Sequence, residues 1–119
     1  MATLTQLVDD VVANKFELRH GTLTIGRHPD NAVQIDDSAV SGHHAQIEGM
    51  PNEHFPQFSE YYLTDLDSTN GTFVNNLKLT KRQRLRHNDV IRIGWNRFKF
   101  VDNQEHELEK TSHMLSTNG

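Results

Sequence analysis

The sequence predicts an all-β domain, a sandwich or barrel of short strands. Apolar residues come in short runs, and turn residues separate them at close to the ~8–12-residue spacing of all-β domains. Two segments, Val90-Ile91-Arg92-Ile93 and Phe98-Lys99-Phe100-Val101, swap apolar and basic residues with the period of two that sends successive side chains to opposite faces of a sheet. Almost nothing carries a helical period.

Taken in order, strands are predicted over residues 4–8, 15–19, 22–26, 33–35, 44–49, 61–65, 72–74, 90–93 and 97–101. The breaks between them have physical causes. His20-Gly21 separates the second strand from the third. Pro29 fixes φ and removes a donor, which makes His28-Pro29-Asp30-Asn31 a loop. Asn75-Asn76 and Asn88-Asp89 supply residues that tolerate positive φ. Residues 50–60 contain two prolines and little periodicity, so a strand-to-strand loop is expected there, with Phe55 and Phe58 folded back onto the body. Nine or more short strands in this length indicate a sandwich or barrel. Residues 1–101 are expected to form that one domain. Residues 102–119 are polar, and a disordered tail or linker is expected, in which 106–110 has the composition for one helical turn.

Composition narrows the function classes. A chain of 119 residues suits one domain, and 34% hydrophobic content gives it a modest core. There is no cysteine, so neither disulfides nor thiolate metal sites are available. The histidines at 20, 28, 43, 44, 54, 87, 106 and 113 show no HExxH and no paired ligand spacing, so no metal or other cofactor is expected. No apolar run approaches the roughly 20 residues of a membrane span, and the N-terminus lacks the pattern of a secretory signal. These features point to a cytoplasmic protein without membrane contact. A net charge of -4 and the scarcity of aromatics among the cations disfavour nucleic acid. Eight of the 12 Lys and Arg nevertheless fall between Lys78 and Lys99, where Asp89 is the only acid, a polarity suited to an anionic partner.

Four segments sit at predicted strand ends: Ile25-Gly26-Arg27-His28, Val40-Ser41-Gly42-His43-His44-Ala45, Asp65-Leu66-Asp67-Ser68-Thr69-Asn70-Gly71-Thr72, and Asp89-Val90-Ile91-Arg92-Ile93-Gly94. Arg27 offers a planar fork of donors that matches a phosphate. Ser41 and Thr69 add hydroxyls, and Gly42 and Gly71 let backbone N–H groups come close. Asn70 carries both a donor and an acceptor for the backbone of an extended peptide. Together they describe a site for a dianion and a peptide better than a site for chemistry.

At these residues the sequence resembles the forkhead-associated (FHA) domain family. That family's pattern is Gly-Arg after the third strand, Ser-x-x-His, and Ser-x-Asn-Gly-Thr followed by Asn. Here it reads Gly26-Arg27, Ser41-Gly42-His43-His44, Ser68-Thr69-Asn70-Gly71-Thr72 and Asn75, with the elements in order and at compatible spacing over residues 4–101. The resemblance implies an eleven-stranded sandwich of two sheets, of the FHA/SMAD-like type, whose loops at one end bind phosphothreonine peptides. It implies that Arg27 and Ser41 contact the phosphate, with Gly42 beside them, that Thr69 supplies a further hydroxyl, and that Asn70 holds the peptide backbone. His44 would brace the loop presenting Ser41, while Gly26, Ser68, Gly71, Thr72 and Asn75 support the turns. Two positions depart from the pattern. Gly42 stands where the family often has Asn, Arg or Lys, and Ala39 where it sometimes has a phosphate-binding Arg. His28 or His43 is then expected to add charge.

The implied role is a signalling adaptor whose partner is a protein phosphorylated on threonine by a separate Ser/Thr kinase. Phosphorylation of Thr3, Thr5, Thr111 or Thr117 would give self-association through the same site. Two other classes stand beside this one. A phospho-independent scaffold or dimerisation domain would use the 78–99 basic face. A hydrolase would need Ser41, His44 and Asp65 or Asp67 as a triad, yet nothing like a nucleophile elbow surrounds Ser41, so no enzymatic activity is expected.

Overall fold

The computed structural model describes residues 2–103. Eleven strands run in chain order: β1 (Ala2–Val8), β2 (Val11–Leu18), β3 (Gly21–Gly26), β4 (Val33–Gln34), β5 (Ala45–Pro51), β6 (Ser59–Asp65), β7 (Thr72–Val74), β8 (Leu77–Lys78), β9 (Gln83–Arg84), β10 (Val90–Ile93) and β11 (Asn96–Asp102). They make a six-stranded sheet, β2-β1-β11-β10-β7-β8, and a five-stranded sheet, β4-β3-β5-β6-β9. The expected two-sheet sandwich is therefore present. Among the described residues no helix is long and apolar enough to cross a membrane.

Alternation builds the core. Leu4, Ile91, Ile93, Phe98 and Phe100 turn inward from the first sheet, and Ile25, Ile47 and Leu63 from the second. Each such side chain contributes about 1.5–3 kcal/mol by burial. The Tyr61 ring of β6 lies 5.7 Å from Phe100 of β11, and its hydroxyl donates to the Leu18 carbonyl at 3.2 Å, which ties the two sheets.

Several boundaries differ from expectation. The second strand begins at Val11, because Asp9 (φ 52°) and Asp10 (φ 63°) make a two-residue hairpin turn that joins it directly to β1. Strands β8 and β9 complete the eleven that the resemblance implies, at positions where no strand was predicted. In the predicted 50–60 loop, Met50 and Pro51 belong to β5, and Ser59 and Glu60 to β6. Phe55 and Phe58 do fold together, edge to face at 6.5 Å. Asp102, assigned to the tail, closes β11 and is buried. The remainder of that tail from residue 104, with Thr111 and Thr117 and the 106–110 helical turn, lies outside the described residues. Thr3 and Thr5 sit in β1 between β2 and β11, and Thr5 is buried, so Thr5 cannot be reached by a kinase without unpairing the sheet.

Register decides where the loops go. Ile25 faces Ala45 and Ala45 faces Asp65, so the chain leaves β3, enters β5 and leaves β6 at one end of the second sheet. In the first sheet Ile93 faces Thr72, so the entry to β7 and the exit from β10 share an end. Since the 66–71 loop bridges β6 to β7, both sheets deliver their loops to the same end.

The basic stretch is not one face of a single sign. Arg82 lies over the Tyr62 ring at 4.0 Å and 3.5 Å from Glu48, Arg84 is 3.8 Å from Glu60, and Arg97 is 3.6 Å from Asp10. Arg92 stacks on Phe73, 4.0 Å from its ring centre.

Candidate functional site

The three loops are stitched together by backbone and buried side chains. At the end of β3 the Arg27 amide donates to the Ser41 carbonyl at 3.0 Å, and the His28 amide to the Gly42 carbonyl at 3.1 Å. This close approach requires glycine at position 26, where a Cβ would fall 2.2 Å from the Gly42 carbonyl oxygen. Asn31, buried behind the loop, donates its amide hydrogens to the carbonyls of His28 (2.8 Å) and Gly42 (2.7 Å).

His44 holds the second connection. It is fully buried, its Nδ1 accepts from the Ser41 amide at 3.0 Å, and its Nε2 lies 2.9 Å from the Gly71 carbonyl. Because Nδ1 accepts, Nε2 carries the hydrogen and donates. Both ring nitrogens are therefore occupied by backbone, and neither is available to take a proton from the Ser41 hydroxyl. The triad of Ser41, His44 and an aspartate does not assemble.

The 66–71 loop is organised by Asp65. One carboxylate oxygen accepts from the Ser68 hydroxyl (2.6 Å) and the Thr72 hydroxyl (2.7 Å), and the other from the Ser68 amide (3.1 Å). Ser68 Oγ in turn accepts from the Gly71 amide at 2.9 Å, and Gly71 adopts φ 86°, the left-handed region that favours glycine. Burial acts to raise the Asp65 pKa, but the Ser68 and Thr72 hydrogen bonds outweigh it and hold the carboxyl below its ordinary value. A depressed pKa in the folded state means that ionised Asp65 favours folding. This contribution is complete above the unfolded value, about 3.9, and is lost as pH falls through the lower folded value. Urea denaturation is thus expected to show stability falling below about pH 4, with a shallower fall in Asp65→Asn. Parallel pH profiles for the two proteins would exclude this role.

What remains exposed at this end is a set of donors. Ser41 Oγ accepts from the Thr69 amide at 3.0 Å, which leaves its own hydrogen free to donate. The Arg27 guanidinium is exposed and has no hydrogen-bond or ion-pair partner among the described residues. Thr69 and Asn70 are exposed, and Asn70 donates to the Ala39 carbonyl at 2.9 Å, with its amide oxygen left open. The arrangement is suited to receiving an oxyanion.

Of the site residues expected from sequence, Gly26, Arg27, Ser41, Gly42, His44, Ser68, Thr69, Asn70, Gly71 and Thr72 meet at this end. Asn75 does not. It lies past the far end of β7, at φ 50°, where its side chain bridges the Val90 amide and the Asp89 carboxylate at 2.9 Å each.

Other residues of this end were not expected. An open groove of about 250 Å³ runs between Ala39, Asn70, Arg92, Gly94 and Trp95, and Trp95 is 86% exposed. Asp37 fixes its wall, accepting from the amides of Ala39 (2.9 Å) and Trp95 (3.2 Å) and from the Asn96 side chain (3.0 Å). The Ala39 and Trp95 amides, with Asn96, hold its carboxyl below the ordinary value. The one sequence signal for this groove was a bulky aromatic in a turn, Gly94-Trp95-Asn96.

Comparison with known proteins agrees with this architecture. The FHA domain family model matches residues 23–94. The FHA domain-containing protein FhaA of Mycobacterium tuberculosis is 36% identical over 92 residues, covering 77% of this chain and 16% of FhaA. The oxoglutarate dehydrogenase inhibitor of Corynebacterium efficiens is 37% identical over 87 residues, covering 73% of this chain and 56% of the inhibitor. The chain thus spans little more than half of one curated relative and a small part of the other. A solved FHA domain from work on phosphothreonine-dependent FHA domain interactions superposes with a TM-score of 0.72 at 32% identity, covering 86% of this chain and 96% of that one.

Proposed function

This chain belongs to the forkhead-associated domain family, and on that premise we propose that it is a non-catalytic module that binds threonine-phosphorylated segments of partner proteins. The observation that carries the reading is the meeting of three separate loops at Ser41, whose carbonyl accepts from the Arg27 amide and whose Oγ accepts from the Thr69 amide, each at 3.0 Å. This supports a cradle in which the Arg27 guanidinium and the hydroxyls of Ser41 and Thr69 donate to phosphate oxygens. Asn70 turns its open amide oxygen to the peptide backbone, and the groove beside Trp95 receives a flanking side chain.

A phosphothreonine brings about -1.5 to -2 charges and three strong acceptors. Charge-assisted hydrogen bonds contribute roughly 1.5–3 kcal/mol each, and two or three of them, less ordering costs, correspond to a dissociation constant on the order of micromolar. The module brings its partner near a phosphorylated target, and a separate kinase writes the mark. Phosphorylation draws on ATP, which supports placing the encounter in the cytoplasm.

Fluorescence anisotropy with phosphothreonine peptides tests the reading. Binding is expected to be saturable, to disappear after phosphatase treatment, and to weaken when Trp95 is replaced by alanine. Equal binding of the dephosphorylated peptides would instead favour the phospho-independent scaffold.

A further inference from the structure

The loops that present Arg27 and Ser41 also carry a cluster that the proposed function does not use. His28 and His43 stack with ring centres 5.5 Å apart and 26° between planes. Asp30 lies beside both, its Oδ1 2.6 Å from His28 Nδ1 and 3.9 Å from His43 Nε2. One ligand atom from each residue lies within 4.8 Å of the others, and all three side chains are exposed. We propose that His28, Asp30 and His43 form a binding site for a divalent transition-metal ion of the zinc class.

The hydrogen bonds orient His43 for this. Asn31 is buried, and both of its amide N–H groups go to backbone carbonyls of His28 and Gly42, which accept only. Its Oδ1 must therefore face His43 Nδ1, 3.4 Å away, so that Nδ1 carries the hydrogen and Nε2, toward Asp30, carries the lone pair. A ligating histidine is commonly fixed in this way by a partner on its other nitrogen. His28 Nδ1 and the Asp30 carboxylate stand 2.6 Å apart, a hydrogen bond in which the ring nitrogen donates, and a metal ion bound here would take the place of that hydrogen. The same His28 nitrogen also lies 3.2 Å from the Asp30 amide, so both the side chain and the backbone of Asp30 hold the ring in place.

The dimensions fit. Zinc bonds imidazole nitrogen at about 2.0–2.1 Å and carboxylate oxygen at about 2.0–2.2 Å, so tetrahedral ligand atoms stand ~3.3 Å apart. The Asp30 oxygen stands 2.6 and 3.9 Å from the two nitrogens, on either side of that spacing, and all three ligand atoms lie within 4.8 Å of one another on exposed side chains. The backbone is already held, since Pro29 fixes the turn between His28 and Asp30, and the His28 amide bonds to Gly42 O at 3.1 Å. Two nitrogens and one carboxylate suit zinc, nickel or cobalt better than magnesium or calcium. Three protein ligands leave a fourth position open to solvent, on the loops of Arg27 and Ser41.

Isothermal titration of untagged protein with zinc chloride and with nickel chloride tests the proposal without any peptide, so its failure is separate from failure of the phosphothreonine reading. One ion per chain is expected, with a dissociation constant on the order of micromolar. His28→Ala, His43→Ala and Asp30→Asn are each expected to weaken binding by about tenfold or more, while His54→Ala, in another loop, leaves it unchanged. Circular dichroism confirms that these exposed replacements remain folded. Absence of saturable binding, or undiminished binding in the His28→Ala/His43→Ala double variant, would overturn the proposal.

Discussion

Replacing Arg27 by alanine is expected to weaken phosphothreonine-peptide binding at least roughly tenfold, equivalent to about 1.4 kcal/mol, without moving the melting temperature. The two halves of this expectation have separate causes. The guanidinium is exposed and has no hydrogen-bond or ion-pair partner among the described residues, so removing it breaks nothing in the fold. The part of Arg27 that does hold the loop is its amide, bonded to the Ser41 carbonyl at 3.0 Å, and alanine keeps that bond. The lost term is a charge-assisted hydrogen bond to a dianion, which lies at the strong end of the scale. Lysine at this position keeps the charge and loses the planar fork, so Arg27→Lys is expected between wild type and alanine. Anisotropy titrations beside melting curves read both quantities. An unchanged affinity in Arg27→Ala would remove the cradle from consideration, whatever the melting curve shows.

The division between what was legible in the sequence and what was not follows interaction range. Strands of four or more residues with alternating burial, such as β10, β11 and most of β6, announce themselves because period two needs several residues to show. Two-residue strands such as β8 and β9 cannot show it, and they exist because neighbours already stand beside them: Phe73 pairs with Lys78 and Tyr62 with Arg84. The late start assigned to β2 has a different cause. Its first residues, Val11 to Lys15, are exposed on an edge strand and carry no buried face to read. At the candidate site, the meeting of loops was legible because short motifs carry local reasons for their residues, such as the Ser68 and Thr72 hydroxyls on Asp65. Asn31 and Asp37 were not legible. Asn31 looked like any turn residue after Pro29-Asp30, and Asp37 meets Trp95 and Asn96 across 58 and 59 residues of sequence. The cluster of His28, Asp30 and His43 escaped for the same reason, since ligand spacing along the chain says nothing about two loops paired in space.

Replacing His44 by alanine is expected to do what the Arg27 change does not, lowering stability and affinity together. The ring is fully buried and spans two loops, from the Ser41 amide to the Gly71 carbonyl. Truncation leaves a buried donor and a buried acceptor without partners, at about 1–3 kcal/mol each before water enters, and it opens a cavity besides. A loss of about 2–4 kcal/mol follows, or roughly 10–20 °C in melting temperature for a domain of this size. Ser41 and Gly71 flank the proposed cradle, so the loops separate even where the sheets survive. At a temperature where both proteins are folded, peptide affinity is expected to fall in His44→Ala although no ligand-facing group has been removed. Asparagine replaces one of the two hydrogen bonds at most, so His44→Asn should recover part of the stability and less of the affinity, which depends on both loops at once. If His44→Ala melts like wild type, the ring is not what joins the loops. If it melts early but binds normally, the cradle does not depend on their alignment. Together with Arg27→Ala, the pair separates the group that would meet the phosphate from the group that holds it in position.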